Sequence, residues 1–158
     1  MIPKTKAKLK KHLTTTSILT LILNLLISLI ALLNIIGLVY IATQSDAQLA
    51  QIYDHSTLST IREAQTFWTY FQAICVLVLY ILTSLFLAIN LRRLKTDKSI
   101  SFLPYYLGFL LTVVTTALVI YSILSGQSTP HISNFVAPVL FTALYSYGYQ
   151  CSKAYLKS

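Results

Sequence analysis

Four apolar runs of about twenty residues, none holding Asp, Glu, Lys, Arg or His, dominate the chain at 18–42, 67–91, 102–124 and 132–150. Nothing constrains the fold more. At 1.5 Å per residue, a 25-residue run such as 18–42 extends roughly 37 Å, enough to cross about 30 Å of hydrocarbon with tilt. Lipid offers no water to backbone N–H and C=O groups, so each run is expected as a helix. The expected fold class is all-α integral membrane, with four transmembrane helices in a bundle. The fourth run is the shortest and carries Pro138.

Composition agrees. Of 158 residues, 56% are hydrophobic and 10% charged, against roughly a quarter charged in soluble domains. So few charges cannot cover that much apolar mass in water.

Basic residues assign the sides. The segment 1–17 holds Lys4, Lys6, Lys8, Lys10 and Lys11, and the gap 92–101 holds Arg92, Arg93, Lys95 and Lys98 against Asp97. The segment 151–158 adds Lys153 and Lys157. The gaps 43–66 and 125–131 hold only Arg62, against Asp46, Asp54 and Glu63. A four-span chain puts the three basic segments on one side, which the positive-inside rule makes cytoplasmic. Both termini are then cytoplasmic, in a plasma membrane of bacterial type. The lysines and arginines set topology and meet anionic lipid at the inner face; with that role, nucleic acid is not an expected partner. The Lys-rich start followed by an apolar run has the outline of a secretory signal. That run is too long for a signal core and no small-residue cleavage site follows, so a retained anchor is expected.

Aromatic residues mark the same boundaries. Tyr40, Phe67, Trp68, Tyr70, Tyr121 and Phe135 fall at the outer level, and Phe102, Tyr105, Tyr106, Tyr147, Tyr149 and Tyr155 at the inner one. In the outer segment 43–66, Thr60 and Glu63 have capping-box spacing, which predicts that the second long helix begins near Thr60. Asp46 is expected to cap a short turn with Leu49, Ile52 and Tyr53 on one face.

Inside the runs, the information lies in small and polar residues. Gly108, Thr112, Thr115, Ser122 and Gly126 share one face of the third run, and the first carries Asn24, Ser28 and Asn34. In the fourth, Asn134, Pro138 and Gly148 are in register with Phe141 and Tyr145. Such stripes are expected as packing seams, since small residues let helices approach and polar groups bond across the contact. The sharper expectation is a polar intramembrane face of Asn24, Ser28, Asn34, Thr112, Thr115, Ser122 and Asn134.

Several chemistries lack their parts. With no carboxylate or His in any run, a proton relay has no members. No nucleophile–base set falls at one depth, no ligand register points to a metal, and no cofactor motif is present, so catalytic, metal and cofactor residues are expected to be none. Cys75 and Cys151 lie at opposite depths and cannot pair. The expected function is non-enzymatic: protein–protein contacts within the membrane, in an accessory, assembly or immunity-type role, with a membrane-protein partner or further copies of the chain. The alternative is a subunit of an oligomeric transporter or channel that uses the polar faces.

Overall fold

The structure is a computed structural model that describes residues 3–126, 129 and 131–157, with side chains from residue 6 and excepting Ala64. All regular structure among the described residues is helical: α1 (Pro3–Thr43), α2 (Asp46–Leu49), α3 (His55–Ala64), α4 (Phe67–Lys95), α5 (Leu103–Leu124) and α6 (Ser133–Lys157). Each apolar run falls on one long helix, with Phe102 and Ile132 lying one residue before α5 and α6.

Among the described residues, three helices are long and apolar enough to cross a membrane, in Lys6–Thr43, Phe67–Lys95 and Leu103–Leu124. The fourth long helix, α6, has 25 residues but is diluted by Asn134, Thr142, Ser146, Gln150 and Ser152. Four helices were expected to qualify; on length and apolarity three do.

The four long helices close a ring. α1 packs on α4 and α6, and α5 packs on the same two, leaving α1 and α5 diagonal. Their buried residues all lie towards one end. In α1 burial stops at Ser28; in α4 it begins at Tyr80; in α5 it stops at Thr112; in α6 it begins at Phe141. That end also collects the cations. Lys10 Nζ lies 2.5 Å from Asp97 Oδ1, and Lys6 sits 5.4 Å over the Tyr155 ring. The three basic segments are therefore neighbours, as the charge pattern predicts; the side chain of Lys4 and residues 1, 2 and 158 lie outside the described set.

This basic end is built, not frayed. Helix α1 runs unbroken from the lysine segment into the first apolar run, and Leu13, Thr16 and Ser17 are already buried. Tyr105 and Tyr155, expected at the headgroup level, are 2% and 6% exposed and belong to the core with Leu87, Leu94 and Ile100. At the end of α4, Lys98 N–H donates to Arg93 O at 2.9 Å across Asp97 at φ 50°, a left-handed C-terminal closure. Asn90, 1% exposed, then clamps the returning chain: its Nδ2 donates to Ser101 O at 2.7 Å, and Ser101 N–H donates to its Oδ1 at 3.0 Å. Ser101 Oγ in turn accepts from Leu103 N–H at 3.1 Å, at the start of α5.

At the opposite end, two expectations are corrected. Thr60 lies inside α3 and donates to Ser56 O at 3.0 Å; it caps nothing. The cap of the second long helix is Thr66, whose Oγ1 accepts from Thr69 N–H at 3.2 Å. Helix α3 is a separate element capped by Asp54, which accepts from Thr57 N–H at 2.7 Å. Those backbone and hydroxyl donors hold the Asp54 carboxyl below the usual carboxylate range. The short α2 is capped by Ser45 rather than Asp46, in a reciprocal box with Gln48. Asp46 is occupied by Arg62, whose Nε donates to its Oδ1 at 2.9 Å. Of the apolar face expected here only Leu49 is buried; Ile52 is 74% exposed. Arg62 also donates to Gln44 O at 2.6 Å, fastening α3 to the exit of α1.

Asn90→Leu leaves the N–H and C=O of Ser101 facing an apolar side chain, a loss of about 1–3 kcal/mol per stranded group. Thermal unfolding in a mild detergent should therefore occur several degrees lower than in the parent. An unshifted transition would remove Asn90 from the account.

Candidate functional site

The polar residues of the long helices do not converge on one face; the structure distributes them over four places. Asn24, Ser28 and Thr112 are buried, at 0%, 9% and 8% exposure. Thr115, Ser122 and Asn134 are half-buried, and Asn34 is exposed.

Asn24 belongs to a closed contact among α1, α5 and α6. Tyr145 of α6 is 1% exposed, and its hydroxyl donates to Asn24 Oδ1 at 3.0 Å. Its ring lies on Gly108 of α5, where an added Cβ would overlap it. Three residues along each helix the arrangement reverses: a Cβ on Gly148 of α6 would come within 2.6 Å of Tyr105 Cε1 of α5. Two Tyr-x-x-Gly segments on antiparallel helices thus exchange rings for glycines. Glycine is required because any side chain would occupy the volume of the partner's ring.

Below this contact the Tyr105 hydroxyl lies beside Ser17 of α1 and Ser152 of α6. None of the three hydroxyls makes a well-formed hydrogen bond, although each residue is at least 98% buried, and Asn24 Nδ2 is likewise unpartnered. They are polar groups inside a packed core. The hydroxyls of the remaining predicted face are spent within their own helices. Ser28 donates to Asn24 O at 2.7 Å, Thr112 to Gly108 O at 2.9 Å, Thr115 to Leu111 O at 2.9 Å and Ser122 to Val119 O at 2.9 Å. Back-bonded hydroxyls of this kind are satisfied without a ligand.

Above the closed core a cavity of about 150 Å³ opens among α4, α5 and α6. Its floor is Tyr80 and Phe141, whose rings meet edge-on at 6.2 Å, with Leu111 and Thr112; Thr115 and Asn134 stand on its walls. Pro138 also lines it and removes one bond from the ladder of the continuous α6, because proline cannot donate to the Asn134 carbonyl one turn back. This is the one place where three of the predicted polar residues meet. It can hold a small, largely apolar group. Ser122 lies apart, in a second cavity bounded by α4 and α5 near Trp68.

Sequence reasoning missed Asn90, Arg62 and the paired Tyr-x-x-Gly segments. The last left a readable signal: two identical spacings in successive apolar runs. Of its tyrosines, Tyr105 reads from the sequence as a belt residue, because tyrosine so often is one, whereas Tyr145 already falls on the seam expected in the fourth run. His12, given no role from the sequence, lies 3.3 Å from the Tyr147 hydroxyl through Nδ1. Cys75 and Cys151 are both free. No grouping of His, Cys, Asp and Glu suited to a metal occurs among the described residues. Compared with known proteins, the chain matches no family model, no curated protein and no solved structure.

Two substitutions separate the ring contact from the hydrogen bond. Gly108→Ala should destabilise by about 1–3 kcal/mol, because a rigid ring must move to admit one methyl. Tyr145→Phe keeps the ring and removes only the bond to Asn24, a loss of about 1 kcal/mol. Equal effects in denaturant unfolding of the detergent-solubilised protein would contradict this ranking.

Proposed function

We propose that the chain is an integral membrane protein with four spanning helices, α1, α4, α5 and α6, and both termini in the cytoplasm. It resides in the plasma membrane, of bacterial type, and acts without chemistry of its own. Its work is contact with other membrane proteins or with further copies of itself, in an accessory, assembly or immunity-type role.

Support for the fourth span is geometric. α6 lies antiparallel to α5 and against α1, and its outer face presents Val136, Val139 and Leu140 at 58%, 67% and 45% exposure. In lipid such a face is at home; in water it is a liability. Orientation rests on the gathering of the basic segments at one end. In a chain otherwise without cysteine, Ala50→Cys should react with a membrane-impermeant maleimide on intact cells. Lys98→Cys should react only after permeabilisation. The reverse pattern, or labelling of both, would sink the topology.

The observation that carries the functional reading is Asn34. It is exposed on α1, as are Leu33 before it, at 58%, and Ile30 one turn back, at 56%. Among the described residues it makes no hydrogen bond. Three residues on, Gly37 has nothing within 4 Å of where a Cβ would stand. An unpartnered amide facing hydrocarbon is unfavourable. Beside a glycine that admits close approach, it suits a helix of another chain supplying the complementary groups. By contrast, the hydroxyls that would line a pathway are back-bonded.

The cavity over Tyr80 favours a second reading, a subunit of an oligomeric transporter or channel, since Thr112, Thr115 and Asn134 meet there. One pair of variants separates the two. Asn34→Leu should leave unfolding unchanged, as it breaks no internal bond, yet abolish recovery of the partner or oligomer by gentle-detergent purification and crosslinking. Partner recovery at the parental level in Asn34→Leu, with activity lost in Thr112→Val, would overturn the interaction reading in favour of transport.

A further inference from the structure

A cavity of about 310 Å³ lies between the entry of α4 and the far end of α5, bordered by Glu63, Trp68, Tyr121, Thr69, Gln72 and Ser122. Its lining differs from the other cavities in holding a carboxylate. Glu63 makes no ion pair or hydrogen bond among the described residues. Its sequence neighbour Arg62 is turned away from it, with Nε on Asp46 at 2.9 Å and a terminal nitrogen on Gln44 O at 2.6 Å. Arg62 is also the one basic residue of the segments 43–66 and 125–131. The carboxylate thus stands uncompensated beside two aromatic side chains, Trp68 and Tyr121, each 57% exposed.

We propose that this cavity is a binding site for an alkylammonium group. An anionic carboxylate beside electron-rich aromatic rings is the arrangement that recognises ammonium and quaternary ammonium cations; Trp68 is held there by stacking on Phe71, ring centroids 5.6 Å apart, which leaves its other face for a ligand. The volume is within the range of small-ligand pockets. A hard divalent cation is a poor fit, because it takes six to eight oxygen ligands and several carboxylates; here there is one. The group arrives either on a zwitterionic lipid headgroup or as a free organic cation. Trp68 and Tyr121, at the level where aromatic residues meet headgroups, suit the lipid source, and the experiment tells the two apart.

Trp68 is the sole tryptophan, so its fluorescence reports this site alone. The full-length protein in a maltoside detergent is titrated with tetramethylammonium chloride at constant ionic strength, with sodium chloride as the blank. A saturable change in Trp68 emission, absent with sodium, is expected. Glu63→Gln should weaken it at least about tenfold with helical content unchanged, and Tyr121→Leu should weaken it while the carboxylate is kept. A short-chain phosphocholine that saturates the signal at least tenfold lower in concentration than tetramethylammonium, with the matching phosphoglycerol inert, assigns the site to a lipid headgroup. Equal midpoints for the two cations assign it to a free cation. A linear response, a response equal to that of sodium, or full retention in Glu63→Gln would overturn the proposal.

Discussion

The side chain of Tyr145 joins three of the four long helices in a single contact. Its ring occupies the space over Gly108 on α5, and its hydroxyl reaches Asn24 on α1. Between apolar helices in lipid there is little hydrophobic force, because hydrocarbon tails solvate leucine as well as another leucine does. Association then depends on close fit and on polar groups with no alternative partner. Tyr145 supplies both from one residue, and Tyr105 on Gly148 repeats the fit one turn nearer the basic end. The remaining buried residues, from Leu13 to Tyr155, are arranged around these two crossings.

Packing therefore falls off along the helices, and the gradient governs where anything can bind. At the basic end the ring is closed by Leu94, Ile100 and the Asn90 clamp, and α1 continues beyond the apolar run as a rigid arm tied to Asp97 by Lys10. Past Tyr80 and Phe141 burial in the four long helices ends and cavities open, although the Tyr70 hydroxyl of α4 still donates to Leu38 O of α1 at 3.3 Å. Asn34, further along α1, is exposed and makes no hydrogen bond among the described residues. The closed end holds the fold together; the open end is free to make contacts.

How much of this was legible depended on whether the signal was local. Runs of uncharged apolar residues pointed to the four long helices, because lipid imposes a length and forbids charge, but not to their full extent: α1 begins fifteen residues before its run, at Pro3, and α6 continues seven residues past its own, to Lys157. The charge pattern placed the three basic segments together for the same reason. Cap assignment failed where two candidates stood close: Thr60 with Glu63 had the right spacing, but Thr66 lay nearer the start of the apolar run and took the role. The polar face failed differently. Helical periodicity says which residues share a side of one helix, but it does not say which neighbour that side meets. Asn24 and Asn34 lie ten residues apart on one helix, yet one is enclosed by α6 and the other faces outward, because the ring closes at only one end. Arg62 and Asn90 were invisible since each acts across a turn whose path no periodicity encodes.

The asparagines of the long helices show how one residue type takes different meanings from its surroundings. Asn90 uses both ends of its amide on the backbone of Ser101 and is purely architectural. Asn134 donates to Thr129 O at 3.0 Å, bracing the entry of α6. Asn24 accepts from Tyr145 and leaves its Nδ2 unused, which specifies one register of α1 against α6 at some loss of stability. Asn34 alone of the four makes no bond among the described residues. In water that would carry no information, since solvent would satisfy it. Within an apolar run of α1 the same amide has a strong demand for a donor and an acceptor, and the described residues of its own chain provide neither. The physical case for a partner thus rests on the bilayer as much as on the protein: the more firmly α1 is placed in lipid, the harder Asn34 is to explain without a second chain.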